Sequence, residues 1–361
     1  MADRKNNVGF LRLVLACAVI VGHAPEMIDG NVSREPLATL TSVLTLGSVA
    51  VDGFFLLSGY LITASMTRST PLRYLSRRVM RIYPAFIVAS LISIFILGPL
   101  VCAQVSGALP KAIAKIAFLR QPDYYIGQFP GLKHYPLLNG AMWTIAYEFR
   151  CYLLVFALGI CGVLRKPGMM MAITLVVLGL FAALGVKPFA TSLAEWGDHG
   201  AIKLLIGDPT QVIRLTSAFL VGSCLWVRGD GRTPQISGNV AAISAMAMVV
   251  TIVAVPVMGE VAVLTLGAVG LFWASFRANL GVLQTINDRW DISYGTYLYG
   301  WPIATYIRWA YPSIDPWTLA ASTVPLALIA GAVSWHLIEA PTKDIRLFRR
   351  LTSWQRQSLV G

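Results

Sequence analysis

Residues 8–24 read VGFLRLVLACAVIVGHA, apolar throughout except for Arg12 and His23. A run of this kind, extended to about residue 26, is long enough to cross the hydrocarbon core of a bilayer as a helix. Arg12 and His23 are eleven positions apart, which at about 100° per residue is three turns plus roughly 20°, so both leave the same face. At about 1.5 Å per residue they lie roughly 16 Å apart along the axis. Ionisable groups are costly against lipid, so an aligned pair fits a face turned toward a protein interior or a wet cavity. A snorkelling arginine at one end and an interfacial histidine at the other fit the same spacing.

The composition extends this reading to the whole chain. Of 361 residues, 56% are hydrophobic and 13% charged, and the mean hydropathy is +0.67. Soluble domains carry about 25% charged residues. The expected fold class is therefore all-α, a polytopic membrane protein forming one transmembrane domain over 1–361, with no separate soluble domain. Ten spans are expected, near 8–26, 40–66, 82–106, 140–163, 169–187, 211–227, 236–255, 257–276, 292–311 and 316–338. The seventh and eighth are divided by Pro256 and Gly259-Glu260. Arg4 and Lys5 before an apolar run resemble a signal peptide. Arg12 interrupts that run, however, and A-x-A-like cleavage chemistry is missing, so a retained first helix is expected.

The net charge of +12 does not point to nucleic acid, because most of it sits in short loops. With both termini on one side, 18 of the 29 Lys and Arg fall in the segments on that side and eight on the other. Arg12, Arg150 and Arg214 lie inside spans. This is the positive-inside pattern, and it predicts cytoplasmic termini and attraction to anionic membrane lipid. The five cysteines show no C-x-x-C spacing, so neither a disulfide framework nor a metal site is expected. No internal repeat is evident, which weighs against an inverted-repeat transporter.

Several short pieces carry chemistry. VDGFFLLSGYLIT (51–63) places Asp52 in an apolar run, with Ser58-Gly59 allowing close backbone approach or a hydroxyl facing a cavity. RSTPLRYLSRRVMRIYP (68–84) is read as a basic loop running into the third helix. Its Arg78-x-x-Arg81 spacing puts two guanidinium groups on neighbouring turns, suited to phosphate or to lipid head groups. NGAMWTIAYEFRCYLLVF (139–156) buries Glu148 and Arg150, two apart and so not facing each other. A Glu148–His23 pairing would orient the imidazole and raise its basicity, as a general base requires; a structural polar pair between helices is the alternative. The aromatic loop LRQPDYYIGQFPGLKHYPLLNG (119–140) suits either a sugar at a cavity mouth or interfacial anchoring. His336 and Glu339 are read as a charged, capped helix end stopped by Pro341.

Taken in order, these pieces resemble the acyltransferase 3 family of membrane-bound acyltransferases. The resemblance rests on Arg12-x10-His23, VDGFFLLSGYLIT, RRVMRIYP (77–84), MWTIAYEF (142–149), SYGTYLYGWPI (293–303) and LIEAP (337–341). It implies transfer of an acyl group, usually acetyl, from acyl-CoA (acetyl-CoA above all) to a hydroxyl of a carbohydrate or glycolipid acceptor, in the bacterial inner membrane. It implies His23 as catalytic base or acyl relay, Glu148 at the family's acidic position, and Arg12, Arg78 and Arg81 on the anionic donor. Asp52, Ser58, Trp143 and Tyr294 are then substrate-binding or structural polar positions, and no metal is implied. One departure stands out: Gly300 occupies a ninth-span position where many members carry histidine. A flippase for a lipid-linked sugar and an inactive binding subunit are the competing functions, because intramembrane charges also line transport paths.

Overall fold

Apolar runs of this length satisfy their backbone in lipid only as helices or closed barrels. The computed structural model describes residues 6–101, 103–105, 109–121, 124–126, 137–197 and 206–343. Within them, helices overlap each expected span, with different bounds at several. These are α1 Val8–Asp29, α2 Leu46–Thr67, α3 Pro71–Leu100, α4 Trp143–Ile160, α5 Pro167–Ala183, α6 Pro209–Arg228, α7 Gly238–Ala254, α8 Pro256–Phe276, α9 Ser293–Ala310 and α10 Pro316–Thr342. Short π-helical turns interrupt α3, α8 and α10.

Seven of them (α1–α4, α6, α8 and α10) are long and apolar enough to cross a membrane among the described residues. The apolar helices α5 and α7 are shorter, at 17 residues each. For α9 the cause is composition. It is crowded with Tyr, Thr and Ser, and 14 of its 18 residues are buried, so its polar atoms face protein rather than lipid. Helices α1, α2, α6, α9 and α10 form the centre, with α1 packed on α2, α9 and α10, and α2 on α6. Small residues make these approaches possible. A Cβ on Gly59 would collide with the Phe219 carbonyl of α6, and one on Gly222 with the Leu56 carbonyl of α2.

Two boundaries depart from the sequence reading. The second span begins at Leu46 rather than 40. Glu35, fully buried, accepts from Leu37 N (3.0 Å) and Ala38 N (2.8 Å) with one oxygen and from Leu46 N (2.7 Å) with the other. One carboxylate thus caps the short helix Pro36–Thr41 and ties it to the start of α2. The third helix begins at Pro71, eleven residues before its expected start. Proline at the first helical position loses no intrahelical bond there, so the basic segment is helix rather than loop. That correction carries Arg78 and Arg81 into the fold. The all-α expectation gains one small exception, an antiparallel ribbon pairing 103–105 with 124–126. Of the aromatic loop, residues 122–123 and 127–136 lie outside the described residues.

Candidate active site

Helix α1 has an arginine end and a histidine end, and the two are built differently. At the arginine end, Arg12 Nη1 donates to Asp291 Oδ2 (2.8 Å). Arg81 Nη2 donates to that same oxygen (2.6 Å), while its Nη1 reaches Glu339 Oε2 (2.8 Å). Ser293 donates to the other oxygen of Asp291 (2.6 Å), and Ser334 to the other oxygen of Glu339 (3.3 Å). Two guanidinium groups thus face two carboxylates drawn from α1, α3, the residue pair before α9, and α10. Glu339 is only 3% exposed, a buried ion-pair partner rather than a charged, capped helix end, and the helix runs on through Pro341 instead of stopping there. Arg81 also lies over the Tyr294 ring, 5.3 Å from its centre. Arg78 differs. Its guanidinium lies 6.0 and 5.9 Å from the Tyr74 and Tyr152 ring centres, its buried Nε has no hydrogen-bond partner, and no described carboxylate forms an ion pair with it.

Between the ends lies a cavity of about 30 Å³ among α1, α2, α4 and α9, lined by Arg12, Phe54, Thr144, Glu148, Tyr294 and Tyr297. It has room for about one or two waters. Glu148 Oε1 accepts from Ser58 Oγ (3.1 Å) and Tyr152 Oη (2.6 Å). Tyr297 Oη donates to the Ala141 carbonyl (2.8 Å) and lies 2.7 Å from Thr144 Oγ1. Tyr294 Oη donates to the Ile82 carbonyl (3.1 Å). The expected Glu148–His23 pairing is therefore not formed. Tyr152 one turn on and Ser58 on α2 hold Glu148 toward the Arg12 side.

The carboxylate on His23 is Glu26. Its Oε2 lies 2.8 Å from His23 Nδ1, one turn along α1. Trp301 of α9 meets the imidazole edge-on, with centroids 5.1 Å apart. The far side of the ring faces Gly47, where a Cβ would sit 3.6 Å from Nε2. His23 makes no other hydrogen bond among the described residues. A carboxylate on Nδ1 fixes the tautomer that leaves Nε2 as the basic nitrogen. The signal for Glu26 in the sequence is its i+3 spacing from His23, one turn along the same helix.

The remaining expected residues are dispersed. Trp143 is 38% exposed and packs edge-on against Tyr147. Both border a cleft of about 260 Å³ together with Gly140, over which the Trp301 indole packs. Trp301 therefore separates that cleft from His23. Asp52 is buried on the other side of α2, with Oδ2 accepting from Arg214 Nη2 (3.0 Å). Gly300 lies where α9 crosses α1, and a Cβ there would fall 2.6 Å from Ile20 Cγ1. A histidine side chain would have to displace Ile20, so here the position serves helix packing. Among the described residues, no three of His, Cys, Asp or Glu converge as a metal site would need.

One helix long and apolar enough to cross a membrane thus carries a carboxylate-paired histidine near one end and an arginine cluster near the other. Residues 6–336 match the acyltransferase domain of the acyltransferase 3 family, and the chain belongs to that family. It is 27% identical to an O-acetyl transferase of Shigella phage Sf6, over 91% of this chain and 93% of the relative. It is 28% identical to nodulation protein 10 of Rhizobium leguminosarum bv. viciae (96% and 95% covered). Acyltransferase MdmB of Streptomyces mycarofaciens is 24% identical (92% and 89%). No solved structure matches the chain.

Proposed function

We propose that this acyltransferase moves an acyl group, acetyl in the first instance, from cytoplasmic acyl-CoA to a hydroxyl of a carbohydrate carried on a surface polysaccharide or glycolipid. The observation that carries this reading is the His23–Glu26 pair, with Nε2 left open toward Gly47. The name of the phage relative, an O-acetyl transferase, supports the oxygen acceptor and the acetyl group.

In this reading Nε2 takes the proton of the acceptor hydroxyl as its oxygen attacks the thioester carbonyl. The carbon–sulfur bond then breaks, and the imidazolium returns the proton to the departing thiolate. Glu26 stabilises the imidazolium between these two transfers. The distribution of Lys and Arg supports ten spans with cytoplasmic termini in a bacterial inner membrane, which puts the arginine end on the donor side. Arg12 and Arg81 are held by Asp291 and Glu339, so Arg78, which has no carboxylate ion-pair partner among the described residues, is the first contact for the donor's phosphates. The 30 Å³ cavity is too small for a pantetheine arm, so donor entry requires Phe54, Tyr294 and Tyr297 to move apart.

The test uses the protein in nanodiscs with radiolabelled acetyl-CoA, alongside glycan export and surface acetylation in cells. His23→Ala should abolish acetyl-CoA turnover and surface acetylation while glycan export continues. Export that stops while acetylation of already exported glycan continues would replace the transferase reading with the flippase one.

A further inference from the structure

A second cavity, of about 430 Å³, opens between the start of α2, the end of α5 and the starts of α6 and α8. That volume is in the range of small-molecule sites. Arg214, 8% exposed, lines it, and its partner Asp52, 1% exposed, lies buried behind. Arg214 Nη2 donates to Asp52 Oδ2 (3.0 Å) and to the Ser48 carbonyl (3.1 Å), and Nη1 reaches Gln211 Oε1 (3.4 Å). The pair is incomplete. Arg214 Nε is buried without a hydrogen-bond partner, because Glu260 Oε2 stands 3.9 Å away. Asp52 turns both carboxylate oxygens toward Arg214 Nη2, which lies 3.0 Å from each. A buried charged donor left open beside a carboxylate too distant to accept from it is expensive in a purely structural pair.

The chemistry of the cleft selects its ligand. Arg214 is opposed by two carboxylates, Asp52 and Glu260, so a phosphate or carboxylate would meet net repulsion. A hydroxyl group both donates and accepts, and so takes the open Arg214 Nε proton while donating to the Glu260 carboxylate at the rim. Phe181 and Val257 supply apolar wall, which suits the C–H face of a pyranose. The location matters too. Gly47 faces His23, while Ser48, the next residue, lines this cleft. The first turn of α2 separates the two, a thickness of about 10 Å.

We propose that this cleft is a subsite for a neutral sugar unit of the acceptor, next to the unit presented to His23. The proposal rests on the carbohydrate-acceptor reading above. Saturation-transfer NMR on the full-length protein in nanodiscs tests it, with methyl gluco-, galacto-, manno- and rhamnopyranosides as probes. At least one glycoside should receive saturation from the wild type and from His23→Ala. In Glu260→Gln and Gln211→Ala the signal should fall by about fivefold, as loss of one hydrogen bond implies. Glu260 is on the rim, 37% exposed, so its replacement leaves the fold intact. No saturation with any glycoside, equal signals in both variants, or displacement of the glycoside by sodium sulfate would each overturn the proposal. Turnover plays no part in this measurement. Failure of the transferase reading appears separately, as acetyl-CoA turnover that does not depend on His23.

Discussion

The two ends of α1 answer the same problem, a charged side chain in a membrane helix, in opposite ways. His23 is paired locally, by a residue three positions on in the same helix. Arg12 is paired at long range, through an aspartate 279 residues away that it shares with Arg81. A local pair holds its ring in place through one helix and leaves the opposite face of that ring open. A shared, long-range cluster ties α1, α3, α9 and α10 together and leaves little charge uncompensated. In the proposed function the histidine end does the chemistry, while the arginine end serves donor recognition and, through its long-range pairs, assembly.

Several substitutions can break or sharpen this contrast. The largest effect is expected from His23→Ala, which should lower turnover by roughly 10²–10⁴-fold, the usual range for a general base. Donor affinity measured by equilibrium dialysis with acetyl-CoA should be largely kept. Next is Glu339→Ala, which leaves Arg81 buried with half its pairing gone. Thermal unfolding in detergent should show a loss of about 3 kcal/mol, near the lower end for broken buried pairs. If Glu339→Ala instead left stability unchanged and weakened only donor binding, the assembly role would fall. Gly300→His should cost about 1–3 kcal/mol through overpacking against Ile20, and Gly300→His combined with Ile20→Ala should regain part of it. Arg12→Ala should raise the KM for acetyl-CoA with kcat at saturation kept. An equal loss of donor affinity in Arg12→Ala and His23→Ala would erase the distinction between the ends. The smallest effect belongs to Thr45→Ala, which removes the cap on Ser48 N at the start of α2. About 1 kcal/mol of stability is expected to be lost.

Much of this molecule was legible in its residues because lipid leaves a chain few choices. The apolar runs give the helices, and even the break at Pro256 is present as a short 3-10 turn. The same-face spacing of Arg12 and His23 follows from helical geometry alone. The start of α3 is not legible locally, because a dense run of arginines has the composition of a loop until its partners are known. Asp291 and Glu339, which make that run tolerable inside the fold, lie more than 200 residues away. In the sequence Asp52 is an acid in an apolar run and Arg214 an arginine inside a span. Their pairing across α2 and α6 could not be read from positions 162 apart.

The sequence by itself determined that the chain is a bundle of membrane helices, which family it resembles, and that His23 and Arg12 share one face. Helical periodicity and hydropathy are local properties, so they are written residue by residue. Only the tertiary structure decided that Glu26 rather than Glu148 serves His23, that Arg12 and Arg81 share Asp291, and that Gly300 is a crossing point. Those outcomes depend on which helices pack together and at what depth. Long-range packing, guided by small residues such as Gly22, Gly47 and Gly59, sets that depth, because only there can two backbones approach closely enough to fix the register of every side chain beyond them.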